Sequence, residues 1–292
     1  IARVSEPTEN QLEDSLEDSH KGGVQKMGKF PGEKRVDCFL EAADIMEDNF
    51  DDFLNASVKD AGKTLSNAKG EIEATILRLR RTTMEMDRFR GDFIPGDWSE
   101  ETLESEGIVK REPYGVLLAI SPFNYPLFIS ATKIVPSLLS GNTVILKPPS
   151  ADPITPLLFT RVLEASGLPD YSFSTLTARG RNINPLIEDG RVRAISFTGS
   201  TNVGSKIIKN AGIKDVHMEL GGKDPAVVLS DADLEEAAEK IKGGIVSYSG
   251  QRCDAIRMIL PVSNVYEDLK KKIVERLEKV SIGNPLEDED VD

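Results

Sequence analysis

From position 116 onward, short β-rich runs alternate with stretches patterned as helix: Val116–Ile120, Thr143–Leu146, Ser172–Thr177, Ala194–Phe197 and Ala226–Leu229. Strands that run parallel cannot be joined by a tight turn, and a helical crossover between them packs back onto the sheet. The rhythm therefore predicts an α/β fold, a parallel sheet covered by helices on both faces. Ligands of such sheets sit beyond the carboxyl ends of the strands, so the residues that follow each run carry most of the functional information.

The flanking segments read differently. Gly32–Arg90 is mostly helical, with Val36, Phe39, Leu40, Ala43 and Met46 recurring at helical spacing, and Cys38 reads as a small residue packed in that helix. Gly91, Pro95, Gly96 and Pro113 bracket Thr102–Val109, which alternates in short extended pieces and predicts a hairpin-like excursion. Asp231-Ala232-Asp233 caps a helix reaching about Ser249, and Asn264–Val280 gives an amphipathic helix. The acidic end, with Glu287, Asp288, Glu289 and Asp290, reads as a solvated loop, and no internal repeat is present.

Composition narrows the function. The 292 residues, 39% hydrophobic and 29% charged, can bury the core of one large or two smaller domains. The longest apolar run is Val116–Ile120, far short of the ~20 residues of a membrane-spanning helix. A net charge of −13 argues against nucleic-acid and anionic-membrane partners, so an anionic ligand would have to meet a local group of arginines or lysines. Cys38 and Cys253 form no disulfide framework, and His20 and His217 are too sparse for a metal centre. A reducing cytoplasm and no metal are expected.

Two glycine-flanked segments carry a carboxylate and a thiol: Met218-Glu219-Leu220-Gly221-Gly222 and Gly250-Gln251-Arg252-Cys253-Asp254. A thiolate can attack a carbonyl carbon and hold the product as a thioester, and a carboxylate can activate the water that releases an acid. The plainer alternatives are a solvated glutamate and a structural cysteine. Asn124 follows a predicted strand, where its amide would stabilise an oxyanion or simply make a turn before Tyr125-Pro126. Phe197-Thr198-Gly199-Ser200 also follows a strand and opens a helix whose free N–H groups suit a pyrophosphate, although the spacing is not Gly-x-Gly-x-x-Gly. Lys147 ends a third strand, where it could reach ribose hydroxyls or a phosphate or simply snorkel at the surface, the plainer reading. Ser150, unlike an acidic residue, tolerates a 2′-phosphate, and Arg179 and Arg181 beside Gly180 are its candidate neighbours.

The ordered set Ser121-Pro122-Phe123-Asn124-Tyr125-Pro126, Leu146-Lys147-Pro148-Pro149-Ser150, Phe197-Thr198-Gly199-Ser200, Met218 to Lys223 and Gly250 to Cys253 resembles the aldehyde dehydrogenase superfamily. It resembles in particular its archaeal and bacterial non-phosphorylating, NADP-dependent glyceraldehyde-3-phosphate dehydrogenases, through Gly91–Trp98, Tyr125 and Arg252. The resemblance implies a Rossmann-type sheet domain (1–94 and 114–221), an oligomerisation hairpin (95–113) and the first part of a second α/β catalytic domain (222–292). It implies Cys253 as nucleophile, Glu219 as base for deacylation, and Asn124 with the Cys253 N–H as oxyanion hole. Ile120, Ser121, Pro122, Lys147, Ser150, Arg179, Gly180, Phe197, Gly199, Ser200 and Leu220 would hold NADP, with NAD as the alternative. Tyr125, Arg252 and Arg88 would hold the phosphate of the aldehyde. A homo-oligomer, dimer or tetramer, is implied as well. The family continues past Asp292 with a Glu-x-Phe-Gly-Pro segment, so the chain is expected to be incomplete at both ends. A non-phosphorylated aldehyde (glyceraldehyde, lactaldehyde or a semialdehyde) and a non-catalytic nucleotide-binding protein stand as alternatives.

Overall fold

The computed structural model describes residues 3–287 and 291. Asp288, Glu289 and Asp290 of the acidic end lie outside the described residues. The first layer is helical. α1 (Glu9–Glu17) opens on a capping box, in which the Thr8 hydroxyl accepts from Gln11 N–H and the Gln11 side chain accepts from Thr8 N–H (2.9 Å). A π-helical turn (Asp18–Gly23) leads into α2 (Val24–Lys29). α3 (Gly32–Asp48), α4 (Phe50–Ala61) and α5 (Leu65–Thr83) fill the helical stretch expected from residue 32 onward. β1 (Asp92–Pro95) and β2 (Glu106–Val109) then pair antiparallel, Phe93 opposite Ile108. The first strand of this hairpin lies largely ahead of position 95, and the hairpin exposes Phe93, Ile94, Trp98 and Ile108.

The central sheet contains β3 (Val116–Ile120), β4 (Thr143–Lys147), β5 (Phe173–Thr175), β6 (Val192–Thr198) and β7 (Asp215–Glu219). Its order is β5-β4-β3-β6-β7 and every pairing is parallel. The crossovers carry α6 (Pro126–Leu139), α7 (Ile154–Ala165), α8 (Asn184–Glu188) and α9 (Thr201–Ala211). The two-residue period of the strands divides their side chains between two cores. Val116, Leu118 and Ile120 join Ile145, Ile195 and Ile207 on one face, whereas Ala119, Val144 and Leu146 join Phe39, Ile72 and Ile134 on the other.

A third, smaller core lies between a second sheet and its helices. β8 (Asp224–Val228) and β9 (Ile256–Pro261) pair parallel, and α10 (Leu234–Val246) and α11 (Tyr266–Leu277) cover them through Val228, Ala238, Ile241, Leu269 and Ile273. Asp233 caps α10 by accepting from Glu235 N–H (2.9 Å) and Glu236 N–H (3.1 Å). β9 has no counterpart in the sequence reading, because Arg257 interrupts its apolar run. No helix among the described residues is long and apolar enough to cross a membrane.

Two positions make the packing testable. Gly23 ends the π-helical turn, where an added Cβ would lie 2.2 Å from the Tyr171 carbonyl oxygen and 2.8 Å from Thr143 Cγ2. We predict that Gly23→Ala lowers the unfolding free energy by about 1–3 kcal/mol in urea titrations. Gly28→Ala, with no heavy atom within 4 Å, serves as the control and gains about 0.5–1 kcal/mol. Lys133 on α6 is buried and donates to Ser196 Oγ on β6 (3.1 Å). Burial pulls its pKa down from the ordinary 10.5 to about 8, opposed by the charge of Glu219. Between those two values the unfolded chain holds more protons at this side chain than the folded one, so its contribution to stability rises with pH across that window. The parent should therefore gain stability relative to Lys133→Met as pH rises from 8 to 10, measured by urea midpoints.

Candidate active site

The sheet order reverses direction at β3, which has β4 on one side and β6 on the other. A crevice forms at such a point because the connections leave the two neighbouring strands in opposite directions. The segments that follow β3, β4, β6 and β7 meet there and, with the loop before β9, enclose a cavity of about 820 Å³. It is lined by Ile120, Ser121, Pro122 and Asn124, by Lys147, by Phe197 to Ser200, by Leu220, and by Gln251, Arg252 and Cys253. Gly180 and Arg181 close it on the β5 side.

Asn124 is the polar centre of this wall. It is buried, its Oδ1 accepts from Tyr125 N–H (3.0 Å), and its Nδ2 donates to the Gln251 carbonyl (2.7 Å). The second bond fastens the β3–α6 turn to the cysteine loop and leaves the other amide hydrogen available to a ligand. Cys253 is a free, exposed thiol in that loop. The loop is turned by three consecutive left-handed residues, Tyr248 (φ 50°), Ser249 (φ 50°) and Gly250 (φ 68°). Left-handed backbone costs roughly 1–2 kcal/mol at a non-glycine residue, so the surroundings must hold it. Tyr248 OH donates to the Ala61 carbonyl (3.0 Å) and Arg257 Nη2 donates to the Gly250 carbonyl (2.6 Å).

Gly199 and Ser200 lead into α9, whose first turn lines the cavity through Val203. Ser200 caps the helix, its Oγ accepting from Val203 N–H (3.4 Å). Free N–H groups and the helix dipole suit this wall to a phosphate. Lys147 is buried, which lowers its pKa, and its Nζ donates to Ser150 Oγ (3.4 Å). Ser150 and Arg179 themselves line a separate cavity of about 250 Å³. There Glu6 accepts from Arg179 N–H (3.1 Å) and Asn182 Nδ2 (2.7 Å) and lies 3.4 Å from Arg179 Nε. The Arg179 amide and the Asn182 side chain hold the Glu6 carboxylate below the usual carboxylate range.

The remaining residues singled out from sequence lie at the margin or apart. Glu219 ends β7, and its carbonyl accepts from Gly199 N–H (3.1 Å), while its exposed carboxylate lies 3.5 Å from His217 Nε2 and does not line the cavity. Tyr125 is half-buried with its ring against Tyr248. Arg252 lines the cavity but forks onto Asp254 with bonds of 3.0 and 2.8 Å. Arg88 is exposed, pairs with Glu85 (2.8 Å), and does not line the cavity. Sequence reasoning missed Lys133, although a lone cation among the apolar residues of α6 was a signal. It also missed the buried pair Lys63 and Glu71, which only tertiary contact brings beneath the site. Among the described residues no group of His, Cys, Asp and Glu could hold a metal ion.

An accessible thiol beside a free amide donor, in one cavity with a helix N-terminus, can add to a carbonyl next to a bound nucleotide. Comparison with known proteins gives the family. The model of the aldehyde dehydrogenase family matches residues 1–292. An NADP-dependent glyceraldehyde-3-phosphate dehydrogenase of Streptococcus equinus is 37% identical over 260 residues, 88% of this chain and 55% of its own length. A 3-sulfolactaldehyde dehydrogenase of Priestia aryabhattai is 32% identical over 257 residues, 88% of this chain and 54% of its own. The crystal structure of NADP-dependent glyceraldehyde-3-phosphate dehydrogenase from Bacillus halodurans complexed with NADP superimposes with a TM-score of 0.92 at 34% identity, over 97% of this chain and 60% of that one. The chain thus spans about half the length of the curated relatives it matches. With its full length matched and its sheet, crevice and thiol loop in place, the chain belongs to the aldehyde dehydrogenase family.

Proposed function

We propose that the complete protein oxidises D-glyceraldehyde 3-phosphate to 3-phosphoglycerate with NADP, without inorganic phosphate. The observation that carries this reading is the single cavity shared by Cys253, Asn124 and the N-terminus of α9. Its volume falls in the range of cofactor sites, and its mostly apolar wall with few polar groups fits a nicotinamide and a pyrophosphate. Gly199 and Ser200 would hold the pyrophosphate and Lys147 the ribose, with Ser150 and Arg179 beyond it at the 2′-phosphate. NADP, when bound, supplies the acceptor for the hydride that leaves the aldehyde carbon.

In this mechanism the Cys253 thiolate attacks the carbonyl carbon and a C–S bond forms, while the carbonyl oxygen takes up the electron pair. Asn124 Nδ2 and the Cys253 N–H donate to that oxyanion. After oxidation the product remains as a thioester on Cys253. Glu219, turned away from His217, takes a proton from water, whose oxygen attacks the thioester carbon. The C–S bond breaks, the electron pair returns to sulfur, and the acid leaves. Arg252 supplies the positive group that a phosphorylated aldehyde needs in a chain of net charge −13, exchanging Asp254 for the phosphate. The fork from Arg252 to Asp254 also favours a second reading, a non-phosphorylated or differently charged aldehyde, and similarity to a 3-sulfolactaldehyde dehydrogenase supports it equally.

The same proposal divides the chain into a dinucleotide-binding part (1–94 and 114–221), a hairpin (95–113) and the start of a catalytic part (222–292), in a cytoplasmic homo-oligomer. Exposed Trp98 and Ile108 support a hairpin that docks on another copy.

Assays on the complete polypeptide test this. Cys253→Ser should lower aldehyde oxidation by about 10³-fold or more. Glu219→Gln should give a burst of one NADPH per site and then a steady state lowered about 10²–10⁴-fold. A Cys253→Ser variant with near-parental turnover would sink the mechanism. Comparing kcat/KM for glyceraldehyde 3-phosphate and glyceraldehyde decides the substrate. Arg252→Ala should cut the preference for the phosphorylated aldehyde about 10- to 100-fold, and an unchanged ratio favours the second reading.

A further inference from the structure

One buried cation beneath the site has no part in the chemistry above. Lys63, in the turn between α4 and α5, is 0% exposed. An ammonium in such a place persists only with compensating partners. Its first partner is Glu71 of α5, also buried, whose Oε2 meets the ammonium. The other oxygen, Oε1, accepts from Leu127 N–H (3.1 Å) and Phe128 N–H (3.0 Å). These belong to the first turn of α6, where helix N–H groups have no partner within the helix. Tyr125 at the N-cap supplies no side-chain bond of its own. Glu71 therefore caps α6 from a neighbouring helix, directly after Asn124.

The second side of the ammonium is aromatic. Nζ lies 4.1 Å from the centroid of the Tyr125 ring and 4.8 Å from that of Tyr248, and the two rings meet edge to face at 6.1 Å. Both distances are within cation–π range, and the setting is dry. Tyr125 adjoins Asn124, and Tyr248 opens the left-handed turn that leads to Cys253. Burial lowers the pKa of Lys63, while Glu71 and, less strongly, Asp152 raise it.

We propose that Lys63 is a positioning residue: paired with Glu71 and held between Tyr125 and Tyr248, its ammonium sets the register between the Asn124 amide and the cysteine loop. The Asn124–Gln251 bond of 2.7 Å is the contact that this register produces. The inference rests on the thiol-addition reading of the site.

Removing Lys63 alone would strand the Glu71 carboxylate, so the test uses Lys63→Met/Glu71→Gln in the complete polypeptide. The glutamine keeps an acceptor for Leu127 and Phe128 while both charges go. Melting temperature, NADP affinity by fluorescence, KM, the rate of the NADPH burst with glyceraldehyde 3-phosphate, and the rate of Cys253 alkylation by iodoacetamide are measured. We expect a folded protein with parental NADP affinity and KM, a burst slowed by about 10²-fold and an altered alkylation rate. Parental burst and alkylation rates in the folded variant overturn the proposal. If the double variant does not fold, Tyr248→Leu, which keeps the ion pair and removes one wall of the seat, is read against Tyr248→Phe, which keeps that wall and loses only the hydroxyl bond to the Ala61 carbonyl; the same criteria then apply to the difference between the two. Should the parent form no NADPH with any aldehyde, the proposed function fails, and the alkylation rate alone still decides the positioning role.

Discussion

The arrangement of this molecule depends on β3 being paired in parallel on both sides. Ile120 lies opposite Lys147 of β4 and opposite Phe197 of β6, so three strands end at one level. The strands are buried on both faces, which makes a shift of register costly, since it would turn every side chain to the opposite core. Leu118, Ile145 and Ile195 are almost fully buried, and each contributes about 1.5–3 kcal/mol by leaving water. A rigid rim results, and the turns after the strands stand on it as the walls of one cavity.

The electrostatics of the site run against those of the chain. Three lysines of this strongly acidic protein are buried, each with its own compensation. Lys63 has the Glu71 carboxylate and two aromatic rings. Lys133 has the Ser196 hydroxyl and the field of Glu219, and Lys147 has the Ser150 hydroxyl. Burial lowers the proton affinity of all three. Lys63 is balanced by its carboxylate, whereas Lys133 and Lys147, bonded to neutral hydroxyls and screened far less than surface lysines, can put local positive charge into a chain of net charge −13.

The cysteine loop shows how local strain and tertiary support go together. Tyr248 and Ser249 adopt backbone angles that neither residue prefers. The turn is held by the tyrosine hydroxyl on the Ala61 carbonyl and by Arg257 on the Gly250 carbonyl. The support thus comes from the helical layer and from β9, two regions far apart in sequence.

Much of this was legible in the sequence, for an identifiable reason in each case. Apolar runs marked β3, β4, β5 and β6 of the central sheet, and helical spacing marked the helices from residue 32 onward, because both are local properties of the chain; the fifth run, Ala226–Leu229, belongs instead to β8 of the second sheet. Residues directly after strands, such as Asn124, Lys147 and Gly199, line one cavity because a parallel sheet puts all its carboxyl ends on one side. By contrast, β9 was hidden by Arg257, and Lys63, Glu71 and Lys133 looked like ordinary charged residues. Arg88 pairs with Glu85 away from the cavity, and the Glu219 carboxylate lies beside His217 rather than in the cavity wall. The sequence by itself determined the α/β layering and the motifs of the thiol, the amide and the glycine turn before α9, since those depend on short-range pattern. Only the tertiary structure decided which charges are desolvated, which partners they meet and how the Asn124 amide is aimed, because burial and hydrogen-bond geometry arise between segments that the chain keeps far apart.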